Sequence, residues 1–465
     1  MSLLLAGLAT GHGITREALS IAAVALAVSS LDDIAVDLLF FARLGWRRLT
    51  VYRRHDRAFA EALPAEAPGA MAIVVPAWDE TAVIGAMLRD LTRRVDYPDY
   101  RVFVGVYPND FATHAAVVGV GDKRIETIVC TLPGPTTKAD CLNHLWRALQ
   151  AYEVRAGMRF KAVVLHDAED VVDARELRVF DHLIGRLAMV QLPVIPLVDA
   201  RSRWIAGHYL DEFAESHSKD MVVREAIGAA VPSAGVACAI DRDMLGRIAD
   251  MAGGAPFDAA CLTEDYELGL RIKALGGRGA LVRIAGAPGE GVVATREHFP
   301  GDLDAALKQK TRWLLGIALG GWDRIGWRGG FADRLMLMRD RKSLVSALLT
   351  MFGYGSAVLV ALDGLAARLV PGAASFAPLV DPGGWLEVVL HFTAGVLVWR
   401  LAMRAGFTAR VHGWREGLRA IPRVIVSNGI NAIAAWRATW RYLAIRRGRA
   451  ELVWDKTAHR FPGVE

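Results

Sequence analysis

Apolar stretches at both ends of the chain bracket a charged, alternating middle, and this arrangement constrains the fold more than any other feature. Residues 21–44, 344–370 and 385–403 are each long enough to cross a hydrocarbon core at about 20 residues per crossing. Charge gathers elsewhere, which reconciles a mean hydropathy of +0.27 and 53% hydrophobic residues with 23% charged ones. Asp32, Asp33 and Asp37 interrupt the first stretch. Acids at such depth face partner helices or a cavity. Arg43, Arg47, Arg48, Arg53, Arg54 and Arg57 follow, so that end is expected in the cytoplasm. An amphipathic helix lying on the membrane is the competing reading of this stretch. A basic start and small-residue cleavage site, the marks of a signal peptide, are not clear.

Arg334, Arg339, Arg341 and Lys342 precede the second stretch, and Arg404, Arg410, Arg415 and Arg419 follow the third. Those flanks also belong on the cytoplasmic side. Segment 421–445 carries Arg423, Arg437 and Arg441 and is followed by Arg446, Arg447 and Arg449. Both of its ends read as cytoplasmic, so it is expected to be interfacial or re-entrant, with a further full crossing as the alternative. The net charge of +5 is spread beside apolar segments, which favours a membrane surface and argues against nucleic acid. Cys130, Cys141, Cys238 and Cys261 lack CxxC pairing or zinc spacing, as in a reduced compartment.

After a linker at 58–70 the middle of the chain alternates. Strands are predicted at 71–75, 101–107, 125–129 and 162–166, and helices at 80–94, 137–152 and 174–189. That order argues an α/β domain with a mainly parallel sheet, whose ligands bind beyond the carboxyl ends of the strands. Three of those ends read Pro76-Ala-Trp-Asp-Glu80, Tyr107-Pro-Asn-Asp110 and His166-Asp-Ala-Glu-Asp170. Asp167 and Glu169 are two apart and converge if the backbone stays extended. Two such carboxylates suit a hard cation, Mg²⁺ or Mn²⁺. The plainer reading is a solvated strand-to-helix turn with Asp173 capping the next helix. Lys138 opens a helix where a cation opposes the helix dipole, so a phosphate or nucleotide nearby would explain it better than propensity, with a solvated lysine on an exposed turn as the alternative.

Further on, 211–215 starts an acidic helix assigned to the surface, and 233–240 is a small-residue strand open to close approach by a sugar or another chain. Thr263 is placed to cap a helix whose first turn holds Glu264, Asp265 and Glu267. The functional reading makes Asp265 a general base facing the cleft. Gln309, Arg312 and Trp313 share one helix face, offering an amide, a guanidinium for phosphate oxygens and an indole for a sugar ring. Residues 314–327 are apolar and Trp-rich, as in a helix at the headgroup level.

The order Asp110, Asp167-Ala-Glu169, Thr263-Glu-Asp265, Gln309-Lys-Thr-Arg-Trp313 resembles the D, DxD, TED, QxxRW series of processive family 2 glycosyltransferases, such as cellulose, chitin and hyaluronan synthases. Trp454-Asp-Lys-Thr-Ala-His459 is similar to the tail of that group. Tyr107-Pro-Asn-Asp110, His166-Asp-Ala-Glu-Asp170 and Thr295-Arg-Glu-His-Phe-Pro300 resemble the NfrB-like branch, also called phage adsorption protein B. The resemblance covers roughly residues 15–460.

It implies a cytoplasmic GT-A domain in a multi-pass protein of the bacterial inner membrane. It also implies a nucleotide-sugar donor, usually UDP-linked, a divalent metal, and inversion without a covalent intermediate. Carried over, Pro76, Glu80, Asp110, Lys138 and Asp167 would contact the nucleotide, and Asp167 with Glu169 would hold the metal. Asp265, with Glu264 beside it, would deprotonate the acceptor. Arg312, with Gln309, would stabilise the departing diphosphate, and Trp313 would be the acceptor platform. The metal motif ends in Glu169, so Glu169 and Asp170 compete for that role, and Asp79-Glu80 replaces the commoner Asn-Glu.

The implied product is a growing bacterial surface polysaccharide, with membrane lipids around the protein and an outer-membrane export partner. Transfer of one sugar to a lipid-linked acceptor is the second reading, and a non-catalytic membrane scaffold is a third from a different class. The resemblance implies that chains of this branch can carry a further C-terminal domain that binds cyclic di-GMP, so any such control is expected to need another protein here. The expected divisions are 1–57 membrane helix, 58–300 catalytic domain, 301–342 interfacial helices, 343–445 transmembrane or re-entrant helices and 446–465 tail.

Overall fold

Beyond each of the central strands the chain turns polar, and those turns all open toward one edge of a single sheet. The structure, a computed structural model, describes residues 2–64, 68–449 and 460–463. The sequence motif at 454–459 therefore lies outside the described residues. Among the described residues nine strands form in chain order: β1 Met71–Pro76, β2 Tyr100–Val106, β3 Ile125–Val129, β4 Ala162–Leu165, β5 Met189–Gln191, β6 Val194–Pro196, β7 Cys238–Asp241, β8 Gly279–Leu281 and β9 Thr295–Glu297. Seven of them make one sheet in the order β3-β2-β1-β4-β7-β5-β8, and β6 pairs with β9 beside it. The pairs β1–β2, β1–β4, β2–β3 and β5–β8 are parallel, while β7 runs antiparallel to both neighbours. The sheet is thus mainly parallel, and its central strands β1 and β4 are apolar and buried on both faces, while the edge strand β3 is part-exposed.

Alternation along β1 feeds two cores. Met71, Ile73 and Val75 join the layer of helices Ile84–Arg94 and Glu176–Leu183. Ala72 and Val74 face the opposite layer, with helices Lys138–Ala156, Arg242–Met251 and Glu264–Ala274. Two expectations change here. The helix predicted over 174–189 ends at Leu183, because Met189–Gln191 is taken up as the fully buried β5 beside β7. A tertiary partner outweighs local propensity there. Within 233–240, only Cys238–Asp241 pairs as strand.

The long helices Ser2–Leu49, Phe331–Leu369 and Trp385–His412 are each long and apolar enough to cross a membrane. The acids of the first are paired. Asp33 meets Arg339 at 3.0 Å, and Lys342 Nζ reaches Asp32 at 2.5 Å. Asp37 accepts from Trp399 Nε1 at 2.8 Å and from the buried Lys219, which also binds Glu215 at 2.6 Å. Arg400 closes that group, 2.9 Å from Glu215.

Segment 421–445 belongs to one helix, Trp414–Arg446, that runs through Pro422 and packs along Leu303–Leu314 and Trp385–His412. Its Arg423 is wholly buried and holds Asp211 through Nε at 3.0 Å and Nη2 at 2.7 Å, and Glu416 at 2.9 Å. Asp211 is therefore no surface acid. It lies 0% exposed in helix Gly207–Glu215, with Arg404 at 3.2 Å and Thr408 Oγ1 at 3.1 Å as further partners. Burial raises its pKa and the two guanidiniums oppose the rise.

Candidate active site

The turns after β1 and β4 and the starts of two helices converge on one cleft of about 1070 Å³, counting its open mouth. Pro76 and Glu80 come from the turn after β1, and Asp167 and Glu169 from the turn after β4. Lys138 opens helix Lys138–Ala156, Glu264 and Asp265 open helix Glu264–Ala274, and Gln309, Arg312 and Trp313 face in from helix Leu303–Leu314. Of the residues given a catalytic, nucleotide or metal role from sequence, all line this cleft except Asp110 and the rival metal ligand Asp170. The Asp110 carboxylate caps helix Phe111–Val118 by accepting from Thr113 N at 3.1 Å, and Oδ2 takes the Asp79 N–H at 2.6 Å. Asp110 thus fixes the Asp79-Glu80 turn from behind.

The charges explain one another. Lys138 Nζ lies 2.6 Å from Asp167 Oδ1, which accounts for a lysine in a first turn. Burial alone would lower the ammonium's pKa, but Asp167, Glu264 and Asp265 hold it above the ordinary lysine value. Asp167 is pushed up to about 6 by burial and by Glu169 and Asp170, with Lys138 opposing. Glu264 is pushed up to about 7 by burial and by Asp265.

Asp170 does not compete with Glu169. It is 1% exposed and turned inward, accepting from the Asp167 N–H at 3.0 Å and pairing with His166 Nδ1 at 2.7 Å. His166 Nε2 meets Glu176 at 2.7 Å, so a buried imidazole braces the turn.

Thr263 stands at the N-cap position but makes no capping bond. Its side chain packs instead on Gly316, where a Cβ would sit 2.5 Å from Thr263 Oγ1. Gly235 (φ +79°) lies against Asp265, and a Cβ there would come 2.5 Å from Oδ2. On the far wall Trp313 packs edge-on to Tyr209, Phe213 and Phe299, with the Lys310 ammonium 4.9 Å above its ring. Trp313 also borders a second cavity, lined by Ser343, Ser346, Thr350, Asn428, Asn431 and four arginines between the catalytic domain and the long helices.

Residues 68–316, which carry the whole cleft apart from the flanking helices, match the model of the family described as "Glycosyltransferase like family 2". The chain belongs to that family. This family 2 glycosyltransferase is 36% identical over 461 residues to bacteriophage adsorption protein B of Escherichia coli K12, covering 95% of the chain and 62% of the relative. It matches bacteriophage N4 adsorption protein B of Escherichia coli O157:H7 equally. The chain thus spans less than two thirds of the curated relatives. A mannosyltransferase of Pyrobaculum calidifontis, solved in complex with GDP-Man and Mn²⁺, shares its fold with a TM-score of 0.55 at 16% identity, covering 91% of this chain and 99% of the other. The fold is GT-A, with three helices among the described residues long and apolar enough to cross a membrane.

Among the described residues, no group of three or more His, Cys, Asp and Glu side chains is gathered as a metal cage. Asp167 and Glu169, two oxygen donors on one wall, nevertheless fit a hard cation that takes its remaining ligands from phosphate and water. The crowding that raises Asp167 is the excess of negative charge such a cation relieves. Sequence reading of this glycosyltransferase missed Trp78, Phe213, Glu297 and Phe299, all of which line the cleft. Trp78 and Glu297 stood inside quoted motifs. Phe213 was hidden by the surface assignment of its helix.

Proposed function

We propose that this glycosyltransferase inverts the anomeric centre of a nucleotide-sugar, UDP-linked, as it adds the sugar to a growing bacterial surface glycan. The single observation supporting this is that one cleft is lined by strand-end acids, a half-buried lysine and the Gln309-Arg312-Trp313 face together. Pro76, Glu80 and Lys138 contact the nucleotide, and Asp110 acts on it through the Asp79-Glu80 turn. Asp167 and Glu169 would hold Mg²⁺ or Mn²⁺, which offsets the charge of the diphosphate leaving group. Asp265 takes the proton of the acceptor hydroxyl while the donor's C–O bond to phosphate breaks. Glu264, with a pKa near neutral, adds a second proton acceptor beside it.

Arg312 and Gln309 bind the departing oxygens, and removing such a transition-state contact costs on the order of 100-fold or more in rate. Trp313 stacks on the acceptor sugar. The hydroxyl- and amide-lined cavity beyond Trp313 supports a route for the acceptor toward the membrane helices and export. The three candidate spans and their arginine flanks support an inner-membrane protein with its catalytic domain in the cytoplasm.

The test is nucleoside diphosphate release by the detergent-purified protein over UDP- and GDP-sugars, GDP-mannose included, with Mg²⁺, Mn²⁺ or EDTA. Release from one donor, lost with EDTA and with Asp265→Asn, is expected. Wild-type turnover in Asp265→Asn refutes the assignment, and a product of one added sugar in place of a ladder favours the lipid-linked acceptor.

A further inference from the structure

Trp322, Asp323 and Arg324 are consecutive in the short helix Gly321–Ile325, yet their side chains reach three different elements. The Trp322 ring lies 5.0 Å from the guanidinium of Arg341, on the long helix Phe331–Leu369. Asp323 accepts from Tyr442 Oη at 2.6 Å, on the last helix. Arg324 points the other way, into the catalytic domain. Its Nε donates to Glu267 Oε1 at 2.6 Å and its Nη2 to Cys261 Sγ at 3.1 Å. Cys261 in turn donates to Glu267 Oε1 at 3.2 Å and accepts from Thr263 N at 3.4 Å.

Cys261 and Glu267 flank Thr263-Glu264-Asp265 on either side, and both are almost fully buried, at 1% and 2% exposed. One guanidinium therefore fastens both ends of the segment that carries Asp265. A second contact acts in the same place. Gly316 lies in the π-helical turn Leu315–Gly320 that follows the helix carrying Trp313, and its missing side chain leaves the space that Thr263 fills. Such wide turns inside helices recur at functional sites.

We infer that Arg324 is a positioning residue that holds Asp265 in register with Trp313 and with the membrane-side helices. The inference rests on the proposed function, in which Asp265 accepts the acceptor's proton. On the donor side of the cleft Lys138 and Asp167 pair with each other at 2.6 Å and not with Arg324. The chemical step should therefore suffer when the clamp is cut, and donor binding should not.

The test compares Arg324→Gln, Arg324→Lys and the near-isosteric Glu267→Gln in the full-length protein. Expected is a fall in kcat of up to about 100-fold, the cost of a misplacement of about 1 Å. Donor affinity, titrated with the active nucleotide-sugar, stays within about twofold. Arg324→Lys recovers part of the rate because it keeps the charge. The double variant Arg324→Gln/Glu267→Gln is no slower than the worse single, since both cut one coupling.

Hydrogen exchange should quicken at amides 261–267 in the single variants and stay unchanged at 138–142. Turnover within about twofold of wild type overturns the inference, and so does a donor affinity that falls as far as kcat. If wild-type protein releases no nucleotide from any donor, the proposed function fails by itself. Exchange then decides the clamp: local quickening at 261–267 upholds it, and unchanged exchange there overturns it.

Discussion

Arg423→Met removes a side chain that joins the last helix to the catalytic domain, and the structure sets what this should cost. Losing one partner of a buried ion pair generally costs about 3–5 kcal/mol, because the other charge stays behind without compensation. Five hydrogen bonds vanish: two to Asp211, one to the Glu416 carboxylate, and one each to the Arg203 and Glu416 carbonyls. Asp211 is not left bare, since Arg404 at 3.2 Å and Thr408 at 3.1 Å remain. Glu416 keeps Arg419. The lower end of the range, about 3 kcal/mol, therefore applies.

For a domain of this size a loss of that order lowers Tm by roughly 6–12 °C. Circular dichroism on detergent-solubilised protein measures it. Asp211→Asn/Arg423→Met should recover much of the loss, because the stranded charge is gone. A single variant that melts within about 2 °C of wild type refutes the reasoning. So does a double variant no better than the single.

Lys138→Gln leaves Asp167 facing Glu169 and Asp170 without its 2.6 Å partner, so donor affinity should fall about tenfold or more, read by nucleotide titration. Gly235→Ala combines a φ of +79° with a Cβ 2.5 Å from Asp265 Oδ2, and turnover should drop while the donor still binds. His208 and His217 are pushed down to about 3 and about 4, chiefly by burial, with Lys310 and Arg283 adding to it. Both are neutral in the fold, so their contribution is present above pH 6.5 and is lost as pH falls from 6.5 toward 4, at about 1.4 kcal/mol per unit for each. Tm should therefore decline from pH 7 to pH 5, and His217→Gln, whose carbonyl still accepts from Val194 N, should flatten part of that slope.

The cleft was legible because its chemistry sits in short local words. Glu80, Asp167, Glu169 and Asp265 each follow a strand or open a helix, and strand order then gathers them at one edge. What sequence could not give were long-range pairings. Asp211 reads as a surface acid because Arg423 is 212 residues away, and nothing within its own helix marks it. Asp170 and Glu169 are equal candidates until His166 and Glu176 are seen to claim Asp170. Thr263 has the residue type of a cap and the position of one, but tight packing on Gly316 directs its side chain elsewhere. Residues 184–189 lost their predicted helix because Met189 starts a strand beside β7, a demand that only the completed sheet makes.

The buried group around Asp37 also bears on how the protein is made. Asp37 is carried by a helix that leaves the ribosome ahead of its partners, for Lys219 lies 182 residues later and Trp399 362 residues later. At translation speeds of about 5–20 residues per second, the carboxylate waits some 10–40 s for its lysine and roughly 20–70 s for the indole. During that interval the first helix holds an acid that disfavours its own release into lipid. Its transfer is thereby tied to completion of the third long helix, and a chain cut short before residue 399 should stay with the insertion machinery and be degraded.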